Sequence, residues 1–376
     1  MNSVSIKDTP KVALLHDGGP ISGISSVVYN IFTNLKSHGI VVNLYQHLQW
    51  EPETELPSGT IVVNKSQPMK KHNSDALRKI TSAINLFSGS NWHEFKNVNA
   101  DISILSNPSL LKLTKYLSNC GVIGHDLYFL HDNDDSKILN IYFKKQYKFF
   151  NEAKFILSNS EFTRKEFMSM LDISPDKITT IYPYFNSALF HPGKSDFRDR
   201  LKLNDGEKII LSVGSEQPNK NIDTIIKLMT KLPKNYKLVR IGRNTATLRL
   251  IQELNLENRI ILMENLPEKK LADVYRGSDI LVFPSLFEGF GIPVVEAMAS
   301  GLSVLVSDRG SLPEVVGDVG IISDPFDIDF MAEHIQRVLE DEKATALSSQ
   351  MSIMRAKSFT MEAQYKQLLG ALKIFQ

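Results

Sequence analysis

The sequence predicts an α/β protein made of two doubly wound, Rossmann-like domains. Three observations carry that prediction. Short apolar runs alternate with amphipathic stretches over almost the whole chain, and buried strands separated by helices form parallel sheets covered on both faces. The length of 376 residues suits two domains at roughly 150 residues each. A charged segment with prolines and a glycine, near 184–206, interrupts the pattern midway, as an interdomain linker does.

The first series of candidate strands is KVALLH (11–16), IVVNLY (40–45), TIVVN (60–64), DISILS (101–106), GVIGHD (121–126), KFILSN (154–159) and KITTIY (177–182). The second is KIILSVG (208–214), KLVRIG (237–242), RIILM (259–263), DILVFPS (279–285), LSVLVSD (302–308) and GIIS (320–323). Between them, 221–231 sets Ile222, Ile225, Ile226 and Met229 at i, i+3, i+4 and i+7, one apolar face of a helix. Ligands of such sheets sit outside the carboxyl ends of the strands, so two facing domains would leave a cleft for one.

Composition removes several classes. With 42% hydrophobic and 23% charged residues the chain is neither disordered, collagen-like nor a coiled-coil rod. The 43 basic and 42 acidic residues nearly cancel, leaving +1; binding along nucleic acid calls for a basic excess, so no nucleic-acid partner is expected. The single cysteine, Cys120, makes neither an internal disulfide nor a cysteine-rich zinc site and favours a reducing, cytoplasmic location. No apolar run reaches the roughly 18 residues of a membrane span. The run Val12 to Leu15 is too brief for a signal-peptide core and reads as a buried first strand.

The chemistry concentrates in PSLFEGFGIPVVEAMASGLSVLVSDRGSLPEVVG (284–317). A strand is expected to end at Phe283, a loop to carry Glu288, Gly289, Phe290 and Gly291, and a helix to begin near Pro293, since proline suits the first helical turn. Glycines let backbone N–H groups approach a ligand, and helix N-termini attract anions. Glu296, one turn into the helix, is expected near the same spot as Glu288; a carboxylate can accept hydrogen bonds from both hydroxyls of a sugar diol. The plainer alternative makes Glu296 a helix-capping residue and Glu288 a solvated one.

The run EGFGIPVVEAMASG followed by SLPEVVGD resembles the donor-site signature of family 4 of the retaining glycosyltransferases, which have the GT-B fold. SVGSEQPNKNID (212–223) resembles that family's strand–loop–helix with a phosphate-binding lysine, and GSDILVFPS its strand before the donor loop. GHDL (124–127), LSNSEFTRKEF (157–167) and YPYFNSALFHP (182–192) resemble marks of its N-terminal half, and SFTMEAQYKQLLGAL (358–372) its closing helix. The resemblance implies an acceptor domain over 1–190, completed by a helix at about 358–376, and a donor domain over 191–357.

It also implies residue roles. Glu296 would bind the ribose hydroxyls, Glu288 would face the transferred sugar, and backbone amides around Gly289, Phe290 and Gly291 would hold sugar hydroxyls and diphosphate. Lys220, after Gly214, would stabilise the departing diphosphate. His125 would touch the sugar or acceptor, with Asp126 beside it; Gly18, Gly19 and Gly23 would bring backbone near the diphosphate from the first domain. Taken alone, His125 reads as a structural hydrogen-bonder and the three glycines as a tight turn. Many relatives carry an arginine where this chain has Ser215 or Asn219, and Arg243 is the candidate replacement. The implied reaction moves a hexose from a nucleotide-diphosphate sugar, with retention, to a glycan or lipid-linked acceptor. HDL and SLPEVVGD lean towards mannose. The nucleotide sugar is a co-substrate; no separate cofactor or metal is expected.

The Asp-x-Asp of HDNDDS (131–136) reads as acidic residues at a helix start. MKKHNSDALRK (69–79) and YFKKQYKFF (142–150) mix basic and aromatic residues. They suggest either peripheral contact with the inner membrane face or a solvated basic face over packed rings. Two rival functions remain at this point. A dinucleotide-dependent oxidoreductase needs a Gly-x-Gly-x-x-Gly turn, malformed in HDGGPISG, and an acid after strand two, absent from IVVNLYQHLQW. A non-catalytic partner subunit is permitted by the missing arginine and opposed by Glu288 and Glu296.

Overall fold

The computed structural model describes residues 10–17, 23–47, 56–63, 95–131, 141, 144–204, 206–242 and 247–374. The chain divides into two compact units, Met1–Pro183 with Gln364–Gln376, and Tyr184–Ala363.

The first unit holds a parallel sheet of β1 (Val12–His16), β2 (Val42–His47), β3 (Thr60–Val63), β4 (Ile102–Leu105), β5 (Cys120–Gly124), β6 (Phe155–Ser158) and β7 (Ile178–Thr180). Their order is β3-β2-β1-β4-β5-β6-β7. The second holds β8 (Lys208–Val213), β9 (Tyr236–Ile241), β10 (Ile260–Met263), β11 (Ile280–Phe283), β12 (Ser303–Ser307) and β13 (Ile321–Ser323), ordered β10-β9-β8-β11-β12-β13. Each sheet winds outward one way, returns to its centre and winds out the other way. The reversal falls between β1 and β4, and between β8 and β11, and a ligand crevice opens at such a reversal.

The strands form where the apolar runs stand. Every residue of β1, β4, β5, β6, β11 and β12 is buried, as parallel strands covered on both faces require. The second unit's core includes Ile210, Ile225, Met229, Leu238, Ile280, Val282, Leu305 and Ile335. Ile222, Ile225 and Ile226 are buried on the helix Ile222–Leu228, the face that the periodicity assigned.

Local chemistry sets the helix ends. Ser160 caps the helix Glu161–Leu171 by accepting from the Thr163 N–H at 3.0 Å, and such a cap contributes about 1 kcal/mol. The C-terminal helix Met361–Ile374 brings Gln364 and Gln367 to the first unit. Gln364 donates to the Tyr182 carbonyl at 3.1 Å and accepts from Asn34 at 2.9 Å, while Gln367 accepts from the Tyr182 N–H at 3.0 Å. Segment 69–79, the aspartates of 131–136 and Arg243 lie outside the described residues, as do Gly18 and Gly19.

Gly121 on β5 stands opposite Phe155 on β6. A Cβ there would come within 2.1 Å of the ring, so Gly121→Ala is expected to destabilise by about 1–3 kcal/mol through overpacking. Gly370, exposed in the last helix, has nothing within 4 Å of such a Cβ. Gly370→Ala is expected to stabilise by about 0.5–1 kcal/mol. Urea denaturation of the two variants should move midpoints in opposite directions.

Candidate active site

Two loops leave the second sheet at its winding reversal: residues 214–221 after β8 and 284–291 after β11. They are stapled together. The Leu286 N–H donates to the Asn219 carbonyl at 2.7 Å, and the Asn219 amide donates to the Phe287 carbonyl at 3.1 Å. The Asn221 amide reaches the Pro284 carbonyl at 3.2 Å and the Pro325 carbonyl at 2.9 Å. Asn219 thus works as a staple between the loops.

Lys220 Nζ donates to Glu288 Oε1 at 2.5 Å. Both side chains are largely enclosed, 18% and 12% exposed. Glu288 is therefore no solvated loop residue, and the lysine and the loop carboxylate that the sequence singled out do meet. Lys220 is not at the helix start. It ends a short 3-10 turn, Pro218–Lys220, and Asn221, left-handed at φ 51°, separates it from the helix Ile222–Leu228. Asparagine tolerates that conformation better than most residues.

The glycine-rich loop is held from one side by Ser311. Its N–H donates to the Glu288 carbonyl at 3.1 Å, and its Oγ lies 3.0 Å from that carbonyl and 2.9 Å from the Phe290 carbonyl. In a trans peptide the C=O and the following N–H point opposite ways, so the Gly289 and Gly291 N–H groups are turned away from Ser311. Gly291 has φ 102°, and a Cβ there would come within 2.9 Å of Leu312; only glycine suits the position. Phe290 is buried and meets Phe359 edge to face, centroids 5.4 Å apart.

Glu296 lies in the helix Ile292–Ala299, whose cap residue is Gly291, so it does not cap that helix. It accepts from the Tyr275 hydroxyl at 3.0 Å. Tyr275 is fully buried on the helix Glu268–Gly277. Burial pushes the Glu296 carboxyl up to about 8, the Tyr275 hydrogen bond opposes the rise, and the charge of Glu268 adds to it. At neutral pH the group is therefore an uncharged acid, with one O–H donor as well as acceptor oxygens. The two carboxyls thus have different partners and different charge states, where the sequence suggested two similar grips.

The first unit gathers polar groups at its own reversal. His16, at the end of β1, lies 2.7 Å from Ser106 Oγ and 2.9 Å from Ser25 Oγ. His125, after β5, places Nε2 at 2.7 Å from the Ser106 carbonyl. A carbonyl only accepts, so Nε2 carries the proton and Nδ1 keeps its lone pair. Burial lowers His125 to about 4; burial and then the His125 charge lower His16 to about 3. Both rings are neutral at physiological pH. Asp126 accepts from the Tyr128 N–H at 3.1 Å, a local turn bond, and Gly23 opens the helix Gly23–Ser37.

Residues 193–353 match the family model described as glycosyl transferases group 1. The matched segment contains Gly214, Lys220, Glu288 and Glu296. Among curated relatives, the O-antigen chain mannosyltransferase B of Escherichia coli is 29% identical over 241 residues, covering 61% of this chain and 63% of that protein. The chain thus spans less than two thirds of that relative. Two solved structures cover nearly the whole chain. Sucrose-phosphate synthase of Thermosynechococcus elongatus has a TM-score of 0.77 at 20% identity, over 96% of this chain and 98% of that one. Anabaena HepE in complex with UDP-glucose has a TM-score of 0.75 at 17% identity, over 97% and 99%. The fold is GT-B, two Rossmann-like parallel sheets, as the resemblance implied.

Sequence reasoning passed over Tyr275, Ser311 and Arg240. Ser311 stood inside a quoted motif without a role. Tyr275 sits in ADVY with no local mark of its partner.

The Glu296 shift has a sign that can be measured. Between the ordinary carboxyl value of 4.5 and about 8, the folded protein keeps a proton that the unfolded chain has released, so stability falls as pH rises through that window. Glu296→Gln keeps an acceptor for Tyr275 and removes the titration. Thermal unfolding from pH 5 to 8.5 is expected to show a shallower decline for the variant, the two proteins converging near pH 5. Parallel profiles would contradict the raised value.

Proposed function

We propose that the protein is a glycosyltransferase that moves a hexose, with mannose favoured, from a nucleotide-diphosphate sugar to a glycan or lipid-linked acceptor with retention of anomeric configuration. The observation that carries this reading is the Lys220–Glu288 pair at the winding reversal of the second sheet, inside the segment matching group 1 glycosyl transferases. The relative named a mannosyltransferase supports the choice of sugar, and the fold neighbour solved with UDP-glucose supports a nucleotide-sugar donor.

The residues divide the work by chemistry. In the unliganded protein the Lys220 charge rests on Glu288. An arriving diphosphate competes for the ammonium and leaves Glu288 to hydroxyls of the sugar. As the bond between the anomeric carbon and the phosphate oxygen breaks, Lys220 stabilises the charge growing on the leaving group. The acceptor oxygen bonds to the same face of that carbon, and its proton passes to the departing phosphate. Glu296 holds the ribose diol, and N–H groups of Gly289, Phe290 and Gly291 serve the sugar and diphosphate. From the first unit, His125 offers Nδ1 as a neutral acceptor to a sugar or acceptor hydroxyl. Rate enhancement then comes mainly from positioning and electrostatics.

Peripheral attachment to the inner membrane face remains part of the proposal. In the described part of 142–150, Lys144, Lys145 and Lys148 are exposed while Tyr147 and Phe150 are buried. Such a face suits electrostatic contact with anionic headgroups rather than insertion of rings. Among the described residues no helix is long and apolar enough to cross a membrane.

Calorimetry with UDP and GDP, followed by transfer assays, tests the site. Lys220→Ala is expected to weaken nucleoside diphosphate binding about tenfold or more. Glu288→Gln is expected to bind the diphosphate at least as tightly as wild type, because Lys220 is released, yet to lose transfer by about a hundredfold. Full transfer activity in both variants would remove the assignment.

A further inference from the structure

Arg240 lies near the end of strand β9, among the buried Leu238, Val239 and Ile241, and is itself 1% exposed. Its guanidinium donates to the Ile241 carbonyl, to the Gly214 carbonyl at 2.7 Å and to the Ser215 carbonyl at 3.1 Å. Its Nε has no hydrogen-bond partner. The charge of Glu216 favours its ionised form, but none of the hydrogen bonds that hold the guanidinium goes to a carboxylate. Burial lowers its pKa to about 10, which still leaves it charged at neutral pH. A buried cation held only by carbonyls is costly unless an anion completes the arrangement.

Two of the three carbonyls show where that anion would stand. Because C=O and the following N–H of a trans peptide point opposite ways, drawing the Gly214 and Ser215 carbonyls onto the guanidinium turns the Ser215 and Glu216 N–H groups away from it. Successive outward N–H groups make an anion-binding concavity, and the Ser215 N–H has no acceptor among the described residues. The Lys220 stem packs on this loop, 3.8 Å from where a Gly214 Cβ would be. Gly242 permits the approach: a Cβ there would stand 1.9 Å from the Gly214 carbonyl oxygen and 2.9 Å from the guanidinium.

We propose that Arg240 is a positioning residue for the donor diphosphate. It holds the Gly214–Ser215 loop with its N–H groups towards the anion. From beneath the loop it supplies the positive charge that neither Ser215 nor Asn219 carries. This rests on the nucleotide-sugar reading above.

The test compares Arg240→Gln, which keeps two donors for the carbonyls and loses the charge, with Arg240→Lys, which keeps the charge. Calorimetry uses UDP, GDP and the matching nucleosides. For the tighter diphosphate, Gln is expected to weaken binding about tenfold or more and Lys by no more than about threefold, with nucleoside affinity within about twofold throughout. Equal losses for nucleoside and diphosphate, or none, would overturn the role of Arg240 alone. Failure of the wild-type protein to bind either diphosphate would overturn the nucleotide-sugar reading and this proposal with it. Should the Gln variant not fold, hydrogen exchange on the wild type decides: the diphosphate, and not the nucleoside, is expected to protect residues 212–217. Unchanged exchange there would sink the proposal.

Discussion

Lys220 and Glu288 come from loops that leave the adjacent strands β8 and β11 where the winding of the sheet reverses. At such a point the two chains diverge and a crevice opens beyond the strand ends. The lysine is largely enclosed there, close to the start of one helix, and a helix start already carries positive charge. Arg240 lies buried behind the same loop. Two cations so placed need a compensating anion, and in the free protein Glu288 fills that need for Lys220. Much of the surrounding geometry keeps this imbalance in place: Asn219 and Asn221 join the loops, and Ser311 holds the glycine-rich loop by its carbonyls.

Rigidity follows from the kind of bonds involved. Side chains bonded to loop carbonyls dictate which way the intervening N–H groups point, so the donors are aimed before any ligand arrives. Glycine is required at Gly291 and Gly242 for different reasons. The first needs a positive φ beside Leu312; the second has no room for a Cβ against the Gly214 carbonyl.

The ionisable groups are sorted by burial. Glu296 is held as a neutral acid beside Tyr275, and His16 and His125 as neutral bases beside Ser106. Glu288 and Lys220 form an ion pair. Neutral groups suit hydroxyl recognition and charged ones suit a diphosphate, the division of labour that the proposed function assigns to them.

Strand positions were legible because burial on both faces leaves a contiguous apolar signature: KIILSVG became Lys208–Val213 and DILVFPS became Ile280–Phe283. The glycine-rich loop 288–291 was legible because glycine and proline mark backbone requirements that are local to the chain. The sequence by itself thus determined the alternation of strands and helices and the loop that carries Glu288. Only the tertiary structure decided that Lys220 meets Glu288 across 68 residues of chain, that burial sets the state of Glu296 against the opposing bond from Tyr275, and that Arg240 lies under the Gly214 loop. Charge state and ion pairing depend on distance and burial between residues remote in sequence, and neither quantity is written in local pattern.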